Sequence, residues 1–342
     1  MISFKQNTSI VLIDIRSVNS TSLAGLITSF TWRMIKLYFL LTLLAQLPLA
    51  AFYLKELIHS PSAQINTPFI MRGNGYLLNY FATTKKNYTC NRVFFYDTVE
   101  STQDIAVFLS ETNLELDKTL IIATEQRGGK GRNGKKWLSP QGGIWLSLIM
   151  RPKITLNKSF FMSFVASLSV CEAIRVETGL ESKVKWPNDI VIQSKKVSGI
   201  LISIGAEGMT LKYLIVGIGI NANLDDTSLK FIGKSVGDTY QVGSLKNEML
   251  GKDIDCGKLV ARILQKLDYY YDELEHRESF ILSEWKKRCE TINKHVLIIN
   301  KDNTWYEAYV SDIDFDGSLV VITANGRQIR VTDNQVTIRM MS

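Results

Sequence analysis

Along residues 92–150, apolar positions fall into short blocks separated by one stretch at helical spacing. Blocks at 92–96, 119–124 and 144–150 predict strands, and Glu100-Ser101-Thr102 opens a predicted helix that runs to about Ser110. Residues 159–177 place Phe161, Phe164, Val165, Leu168, Cys171 and Ile174 at helical spacing, which predicts a helix packed on a core. Further strands are predicted at 184–186, 190–193, 199–204 and 211–218, giving a mixed sheet with helices on a face, an α/β (α+β) arrangement. Two more helices follow at 258–271 and 279–287. After them, strands at 295–299, 305–313, 318–323, 326–331 and 336–340 are closely spaced, with Asp316-Gly317 and Asn325-Gly326 as turns between them. A small C-terminal β-barrel is expected from that spacing.

The region before this pattern reads differently. Residues 37–54 form an uncharged, mostly apolar run flanked by Arg33, Lys36 and Lys55, long enough to approach a membrane span. Gln46 and Pro48 interrupt it, and cations on both flanks leave the orientation ambiguous. An anchor, a targeting segment, an interfacial helix and a start upstream of the functional one are all open, with Met71 as the alternative start. The expected organisation is therefore an extension over 1–80, a main domain over 81–291 and a small domain over 292–342.

Composition narrows the function classes. The chain has 342 residues and 46% hydrophobic content, enough for a substantial core and too apolar for disorder. Its net charge of +7 includes +4 from residues 1–80, which hold six Lys/Arg and two Asp/Glu, so only +3 remains for the rest. That balance argues against a whole-surface nucleic-acid binder. Cys90, Cys171, Cys256 and Cys289 have no metal-ligand or redox spacing, as a reducing compartment would allow. His59, His276 and His295 stand in no catalytic or zinc spacing. The chemistry must run on charge and positioning.

The segment from Thr124 to Trp137 carries such charge. Gly128, Gly129, Gly131 and Gly134 let the backbone approach a ligand, while Arg127, Lys130, Arg132, Lys135 and Lys136 supply cations that a phosphate would pair with. Read alone, the loop fits a phosphate cradle, a solvated basic turn or a nucleic-acid patch. Its neighbours are Tyr96-Asp-Thr-Val-Glu-Ser-Thr-Gln103 upstream, and downstream Val184-Lys-Trp-Pro-Asn-Asp189, Lys195-Lys-Val-Ser-Gly-Ile-Leu201 and Val216-Gly-Ile-Gly-Ile-Asn221. In this order and spacing the blocks resemble the biotin protein ligases, or biotin–[acetyl-CoA-carboxylase] ligases, over roughly residues 90 to 342.

The resemblance implies a catalytic domain related to class II aminoacyl-tRNA synthetases, with an SH3-like β-barrel at the C-terminus. It implies biotin and ATP as substrates, Mg²⁺, a biotin carboxyl carrier domain as acceptor, and a cytoplasmic site of action unless the extension anchors or targets the chain. Nothing in residues 1–80 resembles the helix-turn-helix domain of the family's repressor members, so DNA binding is not expected. The state of association, monomer or homodimer, stays open.

Residue by residue, the resemblance implies that Arg132 and Lys196 meet the carboxylate and phosphate region, together with Lys130 and Gly131 of the loop. Lys130 keeps the charge of the family's usual Arg without its bidentate fork. Ser101, Thr102 and Gln126 match ring-binding positions, and Gln103 stands where Asn is common. As the plainer alternative, Ser101 and Thr102 could cap the following helix. Trp137 and Asn221 match residues that meet the adenine, with Lys135 and Asn188 beside the nucleotide. A core tryptophan is the rival for Trp137. Asp189 is implied near the reacting centre, either as a base toward the incoming lysine or as a magnesium contact. Two other classes stay in view: a lipoate or octanoate ligase, and a non-catalytic membrane or nucleic-acid binder.

Overall fold

The computed structural model describes residues 90–112, 116–236, 241–332 and 336–341. The apolar run at 37–54, the start at Met71 and the extension over 1–80 lie outside the described residues. Chain order begins with β1 (Arg92–Val99), α1 (Thr102–Thr112), β2 (Thr119–Gln126), β3 (Ile144–Met150), α2 (Phe161–Thr178), β4 (Lys183–Lys185) and β5 (Asp189–Ile192). It continues with β6 (Lys195–Glu207), β7 (Thr210–Ile220), α3 (Asp226–Val236), α4 (Leu245–Glu248), α5 (Cys256–His276) and α6 (Glu278–Arg288). The last strands are β8 (His295–Asn300), β9 (Trp305–Ile313), β10 (Leu319–Thr323), β11 (Gln328–Val331) and β12 (Val336–Met340).

Seven strands form one sheet in the order β1-β2-β3-β7-β6-β5-β4, with β1 and β2 parallel and every other neighbour antiparallel. One face is covered by α2, whose side chains are apolar on nearly every side. Such a helix must be buried all round. Leu168, Val165 and Ile174 are fully enclosed, and α2 in turn packs against α5 and α6. It ends at Gly179, whose φ of 75° puts its N–H on the Arg175 carbonyl, the left-handed cap that glycine adopts without a Cβ penalty.

Glu172 on α2 locks this layer. It accepts from Lys266 Nζ at 2.9 Å and from Tyr270 Oη at 2.6 Å, both on α5. Burial pushes its carboxyl up, but these hydrogen bonds and the charges of Lys266 and Arg288 outweigh that and hold it below its ordinary value. The thiols sit in similarly closed surroundings. Burial raises Cys171 to about 12, and Cys256 and Cys289 each to about 11.

The second sheet has the order β11-β10-β9-β8-β12, antiparallel throughout. The turn glycines read from the sequence are in place, with φ of 81° at Gly317 and 79° at Gly326. The expectation of a barrel is corrected in one respect. Among the described residues no pairing joins β11 to β12, so this is an open five-stranded sheet rather than a closed barrel. This sheet is fastened to the first through Trp186, which donates from Nε1 to the Gly317 carbonyl at 2.8 Å and from its backbone N–H to Thr291 Oγ1 at 3.0 Å.

Candidate active site

The site grows from the sheet face opposite α2. Strands β3, β7 and β6 align Trp145 with Gly219 and Gly199 in one row, and Ser147 with Gly217 and Leu201 in the next. Glycine in a strand interior clears space for something to approach the backbone. In the first row that something is Trp137: a Cβ on Gly219 would stand 2.5 Å from its Nε1, and one on Gly199 2.9 Å from its ring. The indole meets Trp145 edge-on, with centroids 6.4 Å apart. Its Nε1 is buried without a hydrogen-bond partner.

The basic loop folds back on itself as a narrow hairpin. Gly131 N–H donates to the Lys135 carbonyl at 2.7 Å and Trp137 N–H to the Gly129 carbonyl at 2.8 Å. A Cβ on Gly129 would lie 2.3 Å from the Trp137 carbonyl, so this close crossing requires glycine. The turn uses positive φ at Asn133 (54°) and Gly134 (72°). It carries Arg132 to Asn188, with Nη1 donating to Oδ1 at 3.4 Å, while the Asn188 amide donates to the Ile200 carbonyl. Asn188 is thus a brace between the loop and β6. Lys130 is turned toward α1, 2.7 Å from Asp104 Oδ1.

Opposite the loop, the short hairpin from β5 to β6 sets Asp189 against Lys196, with Nζ and Oδ1 2.6 Å apart and Asp189 buried. Lys196 Nζ also lies 5.1 Å from the centre of the Trp137 ring. Its charge is held between a carboxylate and an indole face. A second lysine, Lys185, stands across from Asp189 in the β4–β5 register and is buried. Burial drives its ammonium below the ordinary lysine value, against the pull of Asp189 and Glu290. Asn221 closes this end by donating from Nδ2 to the Gly243 carbonyl at 3.0 Å, which pins residues 241–243 alongside Lys196.

The other end of the cavity is polar and uncharged. Ser101 caps α1, accepting from Asp104 N–H at 3.3 Å. Gln126 Oε1 accepts from Thr102 N–H at 2.8 Å, and its Nε2 donates to Ser139 Oγ at 2.8 Å. Thr102 and Ser147 hydroxyls are 2.9 Å apart, Ser147 Oγ donates to Gln103 Oε1 at 2.9 Å, and Gln103 Nε2 donates to Ser203 Oγ at 2.8 Å. Gln103 lies over Gly217, as Trp137 lies over Gly219.

A single cavity of about 700 Å³ joins these parts. Ser101, Thr102, Gln103, Gln126, Lys130, Gly131, Arg132, Lys135, Trp137, Asn188, Asp189, Lys196 and Asn221 all line it. Trp137 lines the cavity and also packs with Leu138 and Leu229 onto the Trp145, Leu224 and Ile232 cluster, so the core reading and a place in the cavity wall coexist. Sequence reasoning missed Ser147, Ser203, Gly199, Gly217 and Gly219 as parts of the site. The signal was there, in serines and glycines interrupting otherwise apolar strands at a period of two. It also missed α3, which supplies Ile232 and Ser235 to the wall, and the contribution of Thr337 from β12.

Comparison with known proteins agrees with this geometry. Residues 95–221 match the model of the biotin/lipoate A/B protein ligase family. The bifunctional ligase/repressor BirA of Bacillus spizizenii is 31% identical over 236 residues, covering 68% of this chain and 70% of that protein. The biotin–[acetyl-CoA-carboxylase] ligase of Paracoccus denitrificans is 35% identical over 103 residues, 30% of this chain and 43% of that one. Among solved structures, the biotin protein ligase from Aquifex aeolicus in complex with biotin and ATP superposes with a TM-score of 0.58 at 25% identity, over 73% of this chain and 99% of that one. With the glycine-lined face, the basic hairpin and the Lys196–Asp189 pair assembled on the fold those proteins share, this chain belongs to the biotin protein ligase family.

Proposed function

We propose that this protein is an ATP-dependent biotin protein ligase. It activates biotin as biotinyl-5′-AMP and transfers the biotinyl group to a lysine of a biotin carboxyl carrier domain. The observation that carries this reading is the division of one cavity into a neutral hydrogen-bonding end and a cationic end, with an indole set on strand glycines beside Lys196. A cyclic urea at the neutral end and a carboxylate at the cationic end match that division, with the indole left for the nucleotide base. The relatives named as biotin ligases support biotin over lipoate.

In the first half-reaction a biotin carboxylate oxygen attacks the α-phosphorus of ATP. A C–O–P linkage forms and the bond to pyrophosphate breaks. Both reactants are anions, so the residues must neutralise them and hold them in line. Arg132 and Lys196 serve there, Arg132 aimed by Asn188 and Lys196 by Asp189. Trp137 offers a face to the adenine. Lys135 and Asn221 stand at the nucleotide's edge.

In the second half-reaction the neutral amine of the carrier lysine attacks the acyl carbonyl. The amide forms, AMP leaves, and the proton lost by the amine passes to solvent or to Asp189 once Lys196 has turned to the phosphate. The side chains present do not fit a magnesium ion held by the protein alone. Asp189 Oδ1 is engaged by Lys196, and among the described residues no group of three or more acidic, histidine or cysteine side chains converges. Magnesium would enter on the phosphates of the nucleotide.

The test is biotin transfer by the purified full chain to a carrier domain with ATP and magnesium, read by intact mass with lipoate in parallel. An ATP-dependent biotinyl mass shift on the carrier lysine is expected. A folded protein giving no shift, or a lipoyl shift instead, overturns the proposal.

A further inference from the structure

At the neutral end of the cavity, the hydroxyls of Thr102, Ser147 and Ser203 and the Gln103 amide form a set whose hydrogen positions can be counted. Ser147 has one hydroxyl hydrogen and donates it to Gln103 Oε1 at 2.9 Å. In its 2.9 Å contact with Thr102 it must therefore accept. Gln103 Nε2 then donates to Ser203 Oγ at 2.8 Å. The result is a one-way donor chain, Thr102 to Ser147 to Gln103 to Ser203. Thr102 has a single hydrogen as well, so its 3.1 Å contact to Gln126 Oε1 is the weaker alternative, and that oxygen is already served by the Thr102 backbone N–H. Such a chain fixes what the wall offers. One amide hydrogen of Gln103 and the lone pairs of Thr102 Oγ1 are left for a ligand, a donor beside an acceptor.

The chain depends on the length of Gln103 and on the empty face of Gly217. Gln103 is buried and crosses Gly217, where a Cβ would stand 2.4 Å from Oε1. Its far end reaches Ser203 on β6, beyond Leu201, the residue in register with Gly217. An asparagine, shorter by one methylene, could not span that distance. Gln103, a serine at 203 and a glycine at 217 thus form one matched set.

We propose that Ser203 and Ser147 are positioning residues that act through Gln103, and that selection of a cyclic urea at this end of the cavity depends on the one-way chain they anchor. This rests on the biotin ligase reading. A urea edge presents an N–H beside a C=O, the complement of what the chain leaves exposed. A site whose polar groups are ordered in advance loses affinity when one of them is free to rotate.

The experiment is a steady-state cycle with the full chain, varying biotin at saturating ATP and carrier domain. Variants Ser203→Ala and Gly217→Ala are measured alone and in the Gln103→Ala background, with Ser203→Thr as the conservative replacement and thermal unfolding as the check on folding. Each single variant is expected to raise the biotin KM about fivefold, the size of one ordinary hydrogen bond, with kcat within about twofold and the ATP KM unmoved. In the Gln103→Ala background neither should add anything, and Ser203→Thr should restore the normal biotin KM. The severe clash at Gly217 is with the end of the flexible Gln103 side chain, while the Leu201 carbonyl lies 3.2 Å from the added Cβ, so Gly217→Ala displaces Gln103 and asks only a slight local adjustment of the sheet backbone. If Gly217→Ala does not fold, the Ser203 cycle decides alone. An unchanged biotin KM in Ser203→Ala, the same fold-increase with and without Gln103, or an equal rise in the ATP KM overturns the proposal. Failure of the unsubstituted chain to transfer biotin at all would instead overturn the ligase reading.

Discussion

The two faces of the seven-stranded sheet are made from the same strands and do opposite things. On the face toward α2, Leu146, Leu148, Val216, Ile218 and Ile200 are large, buried and interlocked with helix side chains. On the other face the same strands present Ser147, Gly217, Gly219 and Gly199, with Trp137 and Gln103 laid over the cleared ground. The first face stabilises by filling space. The second holds space open for a ligand, and forgoes apolar burial to do so.

Substitutions on each face should therefore fail differently. The largest expected effect is on the packed side, where Trp285 is fully buried against Phe164 at 4.7 Å between ring centroids. Trp285→Ala should cost about 3–5 kcal/mol of stability in a denaturant titration, while the biotin KM of whatever remains folded stays normal. On the open side, Arg132→Ala should lower transfer by about 10²–10³-fold with an unchanged unfolding midpoint, the loss typical of removing a group aimed at developing charge. Normal transfer by a folded Arg132→Ala protein would remove Arg132 from the mechanism. Smaller again, Gly219→Ala pushes a methyl into the indole slot, and the ATP KM should rise about tenfold with the biotin KM little changed. Were both constants to rise together, the slot would serve the whole cavity and not its nucleotide end.

The smallest effect returns to the packed face and concerns pH. Glu172 is held below its ordinary 4.5 in the folded protein, so its contribution is fully present above that value and is lost as pH falls through the folded value. The unfolding midpoint should drop below about pH 4.5, and Glu172→Gln should flatten that part of the profile. A profile unaffected by Glu172→Gln would place the acid sensitivity elsewhere.

The packed face was largely legible in the sequence. The run Ile144–Met150 and the helical spacing of Phe161 to Ile174 locate strand and helix closely, because burial imposes a period that local residues reveal. The strands β6 and β7 extend beyond their apolar blocks, since a long hairpin continues by backbone pairing after its side chains have left the core. Helix α3 was missed because Leu229 and Ile232 serve only a small cluster away from the main core, while Phe231 is exposed. The charged part of the site was legible through the family motif. In the neutral part, Ser101, Thr102, Gln103 and Gln126 came from the same motif, whereas Ser147 and Ser203 did not, because they gain meaning only when β3 and β6 lie on either side of Gly217, a pairing of residues far apart in the chain.

The closed surroundings of the cysteines have a practical corollary. Cys90 and Cys171 are buried, and the thiols of Cys171, Cys256 and Cys289 are raised to about 12, 11 and 11, so at neutral pH very little of any of those three is thiolate. One cysteine introduced at an exposed point of the basic hairpin, such as Lys135, would outcompete them for a maleimide dye. The native chain thus provides a quiet background for watching that hairpin with a single fluorophore, without first stripping out its own sulfurs.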